Sequence, residues 1–464
     1  MKKTRILSFL LCLCLVMCSL SAFCCAEDGE PAQTGSEPFS VNAKAAMLLD
    51  LNNGRVIYEQ NADEKIYPAS LTKIMTCLLA LENGNLSDMV TVSETALSNL
   101  DPDSSLAGLQ VGEQMRLEDL LYCMMIVSGN EACNVVAEHI AGSINDFVRL
   151  MNERAYQLGC QNTHFANPHG LHNEEHYTTA RDLSIITQAA LKSENFREIT
   201  NTIEYELPAT NLSEARTITT TNMLISKAAS NLFHYSRAIG IKTGYTSAAG
   251  RCVISAAKGD GLYLLGIVCG AATTIQENGD LRMESFPECI RLFEYGFNSF
   301  QYVPVLSPLY PVAQMTVSSS AGSEVVALCP KEDIKLLLPV DYDPEKLITE
   351  NRLNGDSAEA PVHAGDVLGS VTVTYQGELM AETDLVAIAD VARSEFSAAA
   401  SDAGAYIQRS WWIWVVGLIA ALIVLFFVML VVRRIRQKQK RRQRMLERRE
   451  LLERQYRAEQ RGRR

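Results

Sequence analysis

The feature that most constrains this chain is a stretch of 22 residues without a charged side chain, residues 411–432. At about 1.5 Å per residue, a helix of this length crosses the ~30 Å hydrocarbon core of a bilayer. Trp411, Trp412 and Trp414 lie at its N-terminal edge, where indole rings favour the interface, and basic residues follow at once. The sequence therefore predicts one transmembrane helix with a basic cytoplasmic tail, residues 433–464.

The N-terminus carries a second membrane-related signal. Three basic residues precede an apolar run, residues 6–18, and small side chains follow before Glu27. This pattern predicts a secretory signal peptide over residues 1–26, cleaved after Ala26. Residues 27–410 would then lie outside the cytoplasm, in a single-pass protein of the cell membrane.

Net charge is distributed unevenly along the chain. The whole chain carries −12, the predicted tail +11 and the first 26 residues +3, which leaves −26 for residues 27–432. Such an acidic exported part repels polyanions, so we expect no nucleic-acid partner. The basic tail is expected to contact anionic lipid, or a cytosolic partner through a charged helix over residues 446–459.

Thirteen cysteines suggest a disulfide scaffold until they are placed on the chain. Five belong to the predicted signal peptide, and the other eight contain no Cys-x-x-Cys pair. A chain that buries a large core does not need disulfides, so we expect these eight to be buried free thiols.

Hydrophobic periodicity divides the exported part into two domains. Strand patterns occur at 45–51 and 55–59 and again at 239–243, 252–257 and 263–269. Between these two groups lie helical patterns over residues 71–79, 115–127, 130–141, 144–158 and 179–192, and a further helix near 282–297 closes the region. This order predicts an α/β (α+β) domain in which strands from both ends form one sheet around a helical insert. Shorter strands with turns over residues 303–391 predict a small β-rich domain. The expected organisation is signal peptide 1–26, linker 27–40, first domain 41–300, β-rich domain 301–392, stalk 393–410, transmembrane helix 411–432 and tail 433–464.

Ser70 and Lys73 lie three residues apart at the expected start of a helix. Residues i and i+3 share a helical face, so the amine is within reach of the hydroxyl. A lysine whose pKa is lowered by burial or by a second cation takes the serine proton and activates the nucleophile. The same spacing recurs at Ser255 and Lys258, but on a predicted strand, where the two side chains point to opposite faces. We expect that copy to be inactive.

A second motif, Ser128-Gly129-Asn130, falls at a break between two predicted helices. Its hydroxyl and amide are suited to relaying a proton and holding a substrate. Other Ser-x-Asn pairs begin at Ser143 and Ser193, and isolated copies of this kind are expected to be helix caps.

The third motif, Lys242-Thr243-Gly244, occurs once and lies on a predicted strand. The glycine lets a ligand backbone approach closely, and a lysine beside a hydroxyl suits a carboxylate. The order of the three motifs, with 58 residues from Ser70 to Ser128 and 114 from Ser128 to Lys242, fits the penicillin-interacting serine enzymes.

With their flanking residues, the motifs resemble the D-alanyl-D-alanine carboxypeptidases among the low-molecular-mass penicillin-binding proteins. The resemblance covers roughly residues 40–300, and residues 365–385 are similar to the β-rich C-terminal domain of that family. The matching segments are Tyr67-Pro68-Ala69-Ser70-Leu71-Thr72-Lys73, Ser128-Gly129-Asn130-Glu131-Ala132, Asn167-Pro168-His169-Gly170-Leu171-His172 and Gly240-Ile241-Lys242-Thr243-Gly244-Tyr245-Thr246.

The resemblance implies a penicillin-binding/β-lactamase-like transpeptidase fold with an antiparallel sheet. It also implies a bacterial enzyme that removes D-alanine from peptidoglycan stem peptides, is acylated by β-lactam antibiotics, and uses no cofactor and no metal. The implied catalytic residues are Ser70 as nucleophile, Lys73 as proton acceptor and Ser128 as proton relay. The implied substrate-binding residues are Asn130, Lys242, Thr243, Gly244 and Tyr245, and the backbone N–H groups of Ser70 and Tyr245 would form the oxyanion hole. Relatives often end in an amphipathic surface helix, whereas this chain has a full span and a basic tail.

Three other interpretations stay open at this point. A β-lactamase of the most similar type needs a glutamate to activate water, and residues 164–169 contain no carboxylate. A non-catalytic penicillin-binding sensor would signal through the basic tail. His169, His172 and His176 resemble a metal site, but the proline and glycine around them favour a loop.

Overall fold

The computed structural model describes residues 39–461, except residues 99, 102, 103, 229, 231, 276–280 and 323. The predicted signal peptide and most of the predicted linker therefore lie outside the described residues. The described chain forms two compact units, residues 39–302 with 338–341, and residues 303–337 with 342–461.

The first unit is built on a five-stranded antiparallel sheet in the order β2-β1-β9-β8-β7. Strand β1 sits beside β9, with Ala45 opposite Cys269, so early and late strands meet as predicted. The five strands are β1 (Ala45–Asp50), β2 (Val56–Gln60), β7 (Ala238–Thr246), β8 (Gly250–Gly259) and β9 (Leu262–Ala271).

Helices and small hairpins fill the chain between β2 and β7. A 3₁₀ turn, Ala69–Thr72, leads into the first helix. The helices are α1 (Lys73–Asn83), α2 (Glu94–Leu97), α3 (Leu117–Met125), α4 (Asn130–Ala141), α5 (Ile144–Gln157), α6 (Ala180–Leu191) and α7 (Glu194–Asn201). The hairpins are β3 (Met89–Thr91) with β4 (Gln114–Arg116) and β5 (Glu204–Leu207) with β6 (Arg216–Thr219). A further hairpin, β10 (Thr273–Ile275) with β11 (Leu281–Met283), precedes α8 (Ser285–Ser299).

Periodicity predicted every long helix of this unit to within a few residues. It missed α2 and α7, which have only four and eight residues and therefore too few turns for a pattern. Strand β1 is buried along its whole length, and the first eight residues of α1 are buried in the same core, packed on other helices. This packing fixes the position of the start of α1.

All eight cysteines outside the predicted signal peptide are free and buried, which confirms the expectation from their spacing. They are Cys77, Cys123, Cys133, Cys160, Cys252, Cys269, Cys289 and Cys329.

The second unit contains a six-stranded sheet in the order β16-β18-β19-β14-β13-β17, antiparallel except for the β13–β17 pair. The strands of this part of the chain are β12 (Phe300–Leu306), β13 (Ala313–Ser318), β14 (Val325–Pro330), β15 (Ile334–Pro339), β16 (Leu347–Leu353), β17 (Ser357–Glu359), β18 (Val367–Tyr375) and β19 (Glu378–Ala387), with a 3₁₀ turn at Pro344–Lys346. The β-rich character expected after residue 300 is thus present.

One long helix, α9 (Glu395–Arg461), ends the described chain. It includes the residues expected to form a stalk, the predicted span and most of the basic tail. Its apolar part is long enough to cross a membrane and is not buried by any other described residue.

Candidate active site

Ser70 lies in the 3₁₀ turn that precedes α1, and Lys73 is the first residue of α1. Pro68 caps the turn, and Ala69 has a left-handed backbone, with φ of 48°. Because Ser70 and Lys73 are one turn apart, their side chains meet: Lys73 Nζ is 3.0 Å from Ser70 Oγ. The predicted pair is therefore formed.

Lys73 is fully buried and has two further neighbours. Its Nζ donates to Asn130 Oδ1 and to the backbone oxygen of His169, each at 2.7 Å. Both of these oxygens are acceptors only. A neutral amine has two N–H groups, which these two acceptors use, and one lone pair, which then faces the Ser70 hydroxyl. The surroundings of Lys73 thus favour a neutral amine whose lone pair points at the Ser70 hydroxyl.

The electrostatics agree with this assignment. Burial lowers the pKa of Lys73, because the ammonium loses its hydration, although the nearby Cys133 and Glu131 oppose the shift. Burial also lowers the pKa of Lys242 well below its usual value, and the charge of Lys73 lowers it further. Burial therefore favours the neutral form of the Lys73 amine, which is the form that can accept a proton.

The loop with Asn167 and Pro168 presents the His169 carbonyl to Lys73. Asn167 closes this loop on itself, since its Oδ1 accepts from Gly170 N at 2.7 Å and its Nδ2 donates to Leu171 O at 2.9 Å. Thr76 of α1 donates to Pro168 O at 2.6 Å. The loop is therefore fixed to the helix that carries the nucleophile pair.

Ser128 lies between α3 and α4 with a left-handed backbone, φ of 63°. Its Oγ is buried and has no hydrogen-bond partner among the described residues. Gly129 precedes α4 and Asn130 is its first residue, so the helix start points the Asn130 side chain at Lys73. A buried hydroxyl without a partner on the wall of a cavity is available to a ligand.

Strand β7 brings the third motif against the nucleophile turn. A Cβ added to Gly244 would lie 3.0 Å from the backbone nitrogen of Ser70, so the missing side chain permits the close approach. Thr243 Oγ1 lies 2.9 Å from Thr221 Oγ1. Lys242 is almost completely buried, and its Nζ donates to Thr243 O at 3.0 Å. The three motifs therefore converge, although they come from remote parts of the chain.

A cavity of about 380 Å³ opens at this point. Ser70, Ser128, Thr243, Gly244 and Tyr245 line it, whereas Lys73, Asn130 and Lys242 are buried and are not among its lining residues. The sequence did not single out the other lining residues, which are Ser105, Thr221, Met223, Arg251, Cys252, Met283, Ser285 and Phe286.

Glu131 has a positioning role that the motifs did not reveal. Its Oε1 accepts from the backbone nitrogens of Ala107 and Gly108, at 2.6 and 2.9 Å. This buried carboxylate holds the loop that contributes Ser105 to the cavity. Its position directly after the Ser128-Gly129-Asn130 motif was the only available signal.

The other copies of the motifs play structural parts, as expected. Ser255 Oγ donates to Gly240 O, while Lys258 lies over the ring of Tyr263. Ser143 and Ser193 are the N-caps of α5 and α7.

The histidines that resembled a metal site are used elsewhere. His176 Nδ1 accepts from Ala166 N at 3.0 Å, so its Nε2 carries the proton and donates to Thr72 Oγ1 at 2.7 Å. Burial lowers the pKa of both His169 and His176 to about 3, which keeps the rings neutral. His176 is thus a structural partner of the nucleophile turn.

A buried lysine base, a serine at a helix start and a strand beside them define a serine acyl-transfer enzyme of the penicillin-interacting class. Residues 31–273 match the family described as D-alanyl-D-alanine carboxypeptidase, and residues 300–393 match the penicillin-binding protein 5 C-terminal domain. The chain belongs to the D-alanyl-D-alanine carboxypeptidase family of low-molecular-mass penicillin-binding proteins.

Individual relatives agree with this assignment. The chain is 33% identical to D-alanyl-D-alanine carboxypeptidase DacF of Bacillus subtilis, over 76% of this chain and 87% of the relative. It is 30% identical to DacA of Haemophilus influenzae, over 80% of this chain and 91% of the relative. The crystal structure of penicillin-binding protein 5 from Haemophilus influenzae is similar with a TM-score of 0.57 and 29% identity, covering 77% of this chain and all of that chain.

Proposed function

We propose that this protein is a serine-type D-Ala-D-Ala carboxypeptidase that acts on peptidoglycan stem peptides through an acyl-enzyme on Ser70. The observation that carries the proposal is the contact of the Lys73 amine with Ser70 Oγ, at 3.0 Å, on a cavity wall that β7 completes. The family membership supports the same activity.

In the first step, Ser70 Oγ attacks the carbonyl carbon of the penultimate D-alanine while its proton passes to Lys73 Nζ. The oxyanion would bind the backbone N–H groups of Ser70 and Tyr245. The peptide C–N bond then breaks, and the leaving amine receives a proton through the Ser128 hydroxyl, which has no other described partner. The terminal D-alanine departs, and the stem remains as an ester on Ser70.

Other residues position the substrate. Thr243 would bind the terminal carboxylate with Lys242 behind it, Asn130 would orient Lys73 and the stem amide, and Gly244 would leave space for the stem backbone. In the second step, water attacks the ester, the acid product forms and Ser70 regains its proton. A β-lactam would form the same ester, and residues 164–169 offer no carboxylate to speed its hydrolysis.

The test is incubation of the full-length chain in detergent with a soluble pentapeptide stem, followed by mass spectrometry. We expect release of one D-alanine per stem, abolished in Ser70→Ala. Ser143→Ala is the matched control, because it removes a serine that only caps α5 and should keep full turnover. A protein that is acylated by labelled penicillin yet releases no D-alanine would instead be a sensor.

We also propose that residues 27–410 face the cell exterior and that the tail lies in the cytoplasm. The charge-free span followed by a basic run supports this orientation. The tail's net charge of +11 favours contact with anionic lipid headgroups, and the alternative binding partner is a cytosolic protein. Protease added to intact cells should degrade the exported part and leave an epitope on the tail protected. Loss of the tail epitope would contradict the orientation.

A further inference from the structure

Arg251 is a cation on the wall of the cavity that contains Ser70. No carboxylate of the described residues forms an ion pair with it. Glu284, which follows the β10–β11 hairpin, is already engaged by Arg282 at 3.5 Å. Within the described residues, this guanidinium is therefore a cation without an acidic partner on the wall of the cavity that contains Ser70, while residues 27–432 as a whole carry a net charge of −26.

The sheet register places this guanidinium on the substrate-facing surface. Arg251 of β8 is directly opposite Tyr245 of β7, and cross-strand partners point to the same face. Thr243 precedes Tyr245 by two residues and shares that face. Arg251 therefore extends the surface that begins at the carboxylate-binding hydroxyl.

The Arg251 side chain is held in place before any ligand arrives. Its guanidinium lies 3.9 Å from the centroid of the Tyr245 ring, and its Nε donates to Thr273 Oγ1 at 3.1 Å. The two Nη groups have no hydrogen-bond partner in the part of the chain that the structure describes, and their planar fork matches a carboxylate. Tyr245 is 50% exposed, so a ligand can reach this pair from solvent.

The direction of the stem peptide follows from the proposed function, on which this inference rests. The leaving D-alanine occupies the side of Thr243 and Ser128, so the acylated part of the stem must extend the other way, past Gly244 towards Tyr245. A strand advances about 3.3 Å per residue, so the residue before the acylated D-alanine lies beside Tyr245 and Arg251. In peptidoglycan stems this third residue is a diamino acid, with or without a carboxylate at the end of its side chain.

We propose that Arg251, supported by Tyr245, forms a subsite for an anionic side chain at the third position of the stem. The preferred substrate class is then a stem with a diaminodicarboxylic acid at this position, whose side-chain carboxylate pairs with the fork. A third residue that ends in an ammonium alone is repelled by the same charge.

The test compares three soluble pentapeptide stems that differ only at the third position: meso-diaminopimelic acid, the same residue with its side-chain carboxylate amidated, and L-lysine. D-alanine release by the full-length chain in detergent gives kcat/KM for each. We expect the carboxylate stem to be preferred about tenfold, the size of one charge-assisted hydrogen-bond pair at a partly exposed site. Arg251→Gln should remove this preference by slowing the carboxylate stem and by no longer repelling the lysine stem, and Arg251→Lys should restore part of it.

Lys258→Gln is the matched control, because Lys258 lies on the same strand over the ring of Tyr263, at 4.2 Å, but at the other end of β8 and outside the cavity. It should leave the preference unchanged. The rate of acylation by a penicillin with a small uncharged side chain verifies that each variant retains a folded site.

Equal use of the three stems by the unaltered protein would overturn the subsite. An equal loss for all three stems in Arg251→Gln would also overturn it, since Arg251 would then bind the terminal carboxylate that the stems share. If no stem releases D-alanine, the proposed function fails instead, so the two failures are distinguishable.

Discussion

Gly170 lies where the loop that carries the His169 carbonyl crosses the nucleophile turn. Its φ is +94°, and a Cβ added there would lie 1.8 Å from Ala69 O. Real Cβ atoms essentially never come within 3.0 Å of such an atom, so Gly170→Ala forces a separation of about 1 Å or more. Ala69 O cannot yield easily, because Thr72 Oγ1 donates to it at 2.8 Å and is itself held by His176.

The loop must therefore retreat, and the His169 carbonyl moves with it. That carbonyl is 2.7 Å from Lys73 Nζ, so a shift of about 1 Å breaks the hydrogen bond and frees the amine to rotate away from Ser70. A misplacement of this size costs about 100-fold in rate. Overpacking and the left-handed backbone together should also reduce the free energy of unfolding by about 2–4 kcal/mol.

The assay is the rate of acylation by a fluorescent penicillin, measured beside a thermal melt. Gly159→Ala is the matched control: its φ is +88°, but the added Cβ meets nothing within 4 Å. It should lower stability by about 1–2 kcal/mol and leave the acylation rate unchanged. The reasoning is refuted if folded Gly170→Ala is acylated within threefold of the unaltered rate.

Two further predictions follow from the same site. Because burial lowers the pKa of Lys73, the acylation rate should rise with pH as the ammonium loses its proton. Lys73→Arg, which stays charged, should lower the acylation rate about 10²–10⁴-fold. A stopped-flow pH profile measures the first effect, and a flat profile argues against a lysine base. Glu131→Ala leaves the backbone N–H groups of Ala107 and Gly108 without their acceptor, so the free energy of unfolding should fall by about 2–4 kcal/mol. Urea denaturation measures that loss, and an unchanged midpoint would show that the loop does not depend on the carboxylate.

Much of this protein is encoded locally. The apolar periodicity of α1 and α4 follows directly from residues that are neighbours on a helix, and their observed limits agree with the pattern. The Ser70–Lys73 pair is of the same kind, since three residues of helix suffice to bring the side chains together. The span within α9 likewise depends only on length and composition.

One partner of Lys73, the backbone oxygen of His169, was beyond such reasoning. The His169 oxygen belongs to the backbone, and every residue has one, so no residue type indicates which carbonyl receives the amine. The role of Glu131 was equally hidden, because its hydrogen-bond donors are the backbone N–H groups of a loop more than 20 residues away in the chain.

Helix starts, the three motifs and the membrane span were determined by the sequence itself, because the first two depend on residues close together in the chain and the span depends only on length and composition. The pairing of Tyr245 with Arg251 was decided only in the folded sheet. The β7–β8 register shifts by one residue between Ile239 and Lys242. Without that bulge Tyr245 would face Gly250, and since a slip of one residue exchanges the two faces of a strand, the cation would leave the cavity.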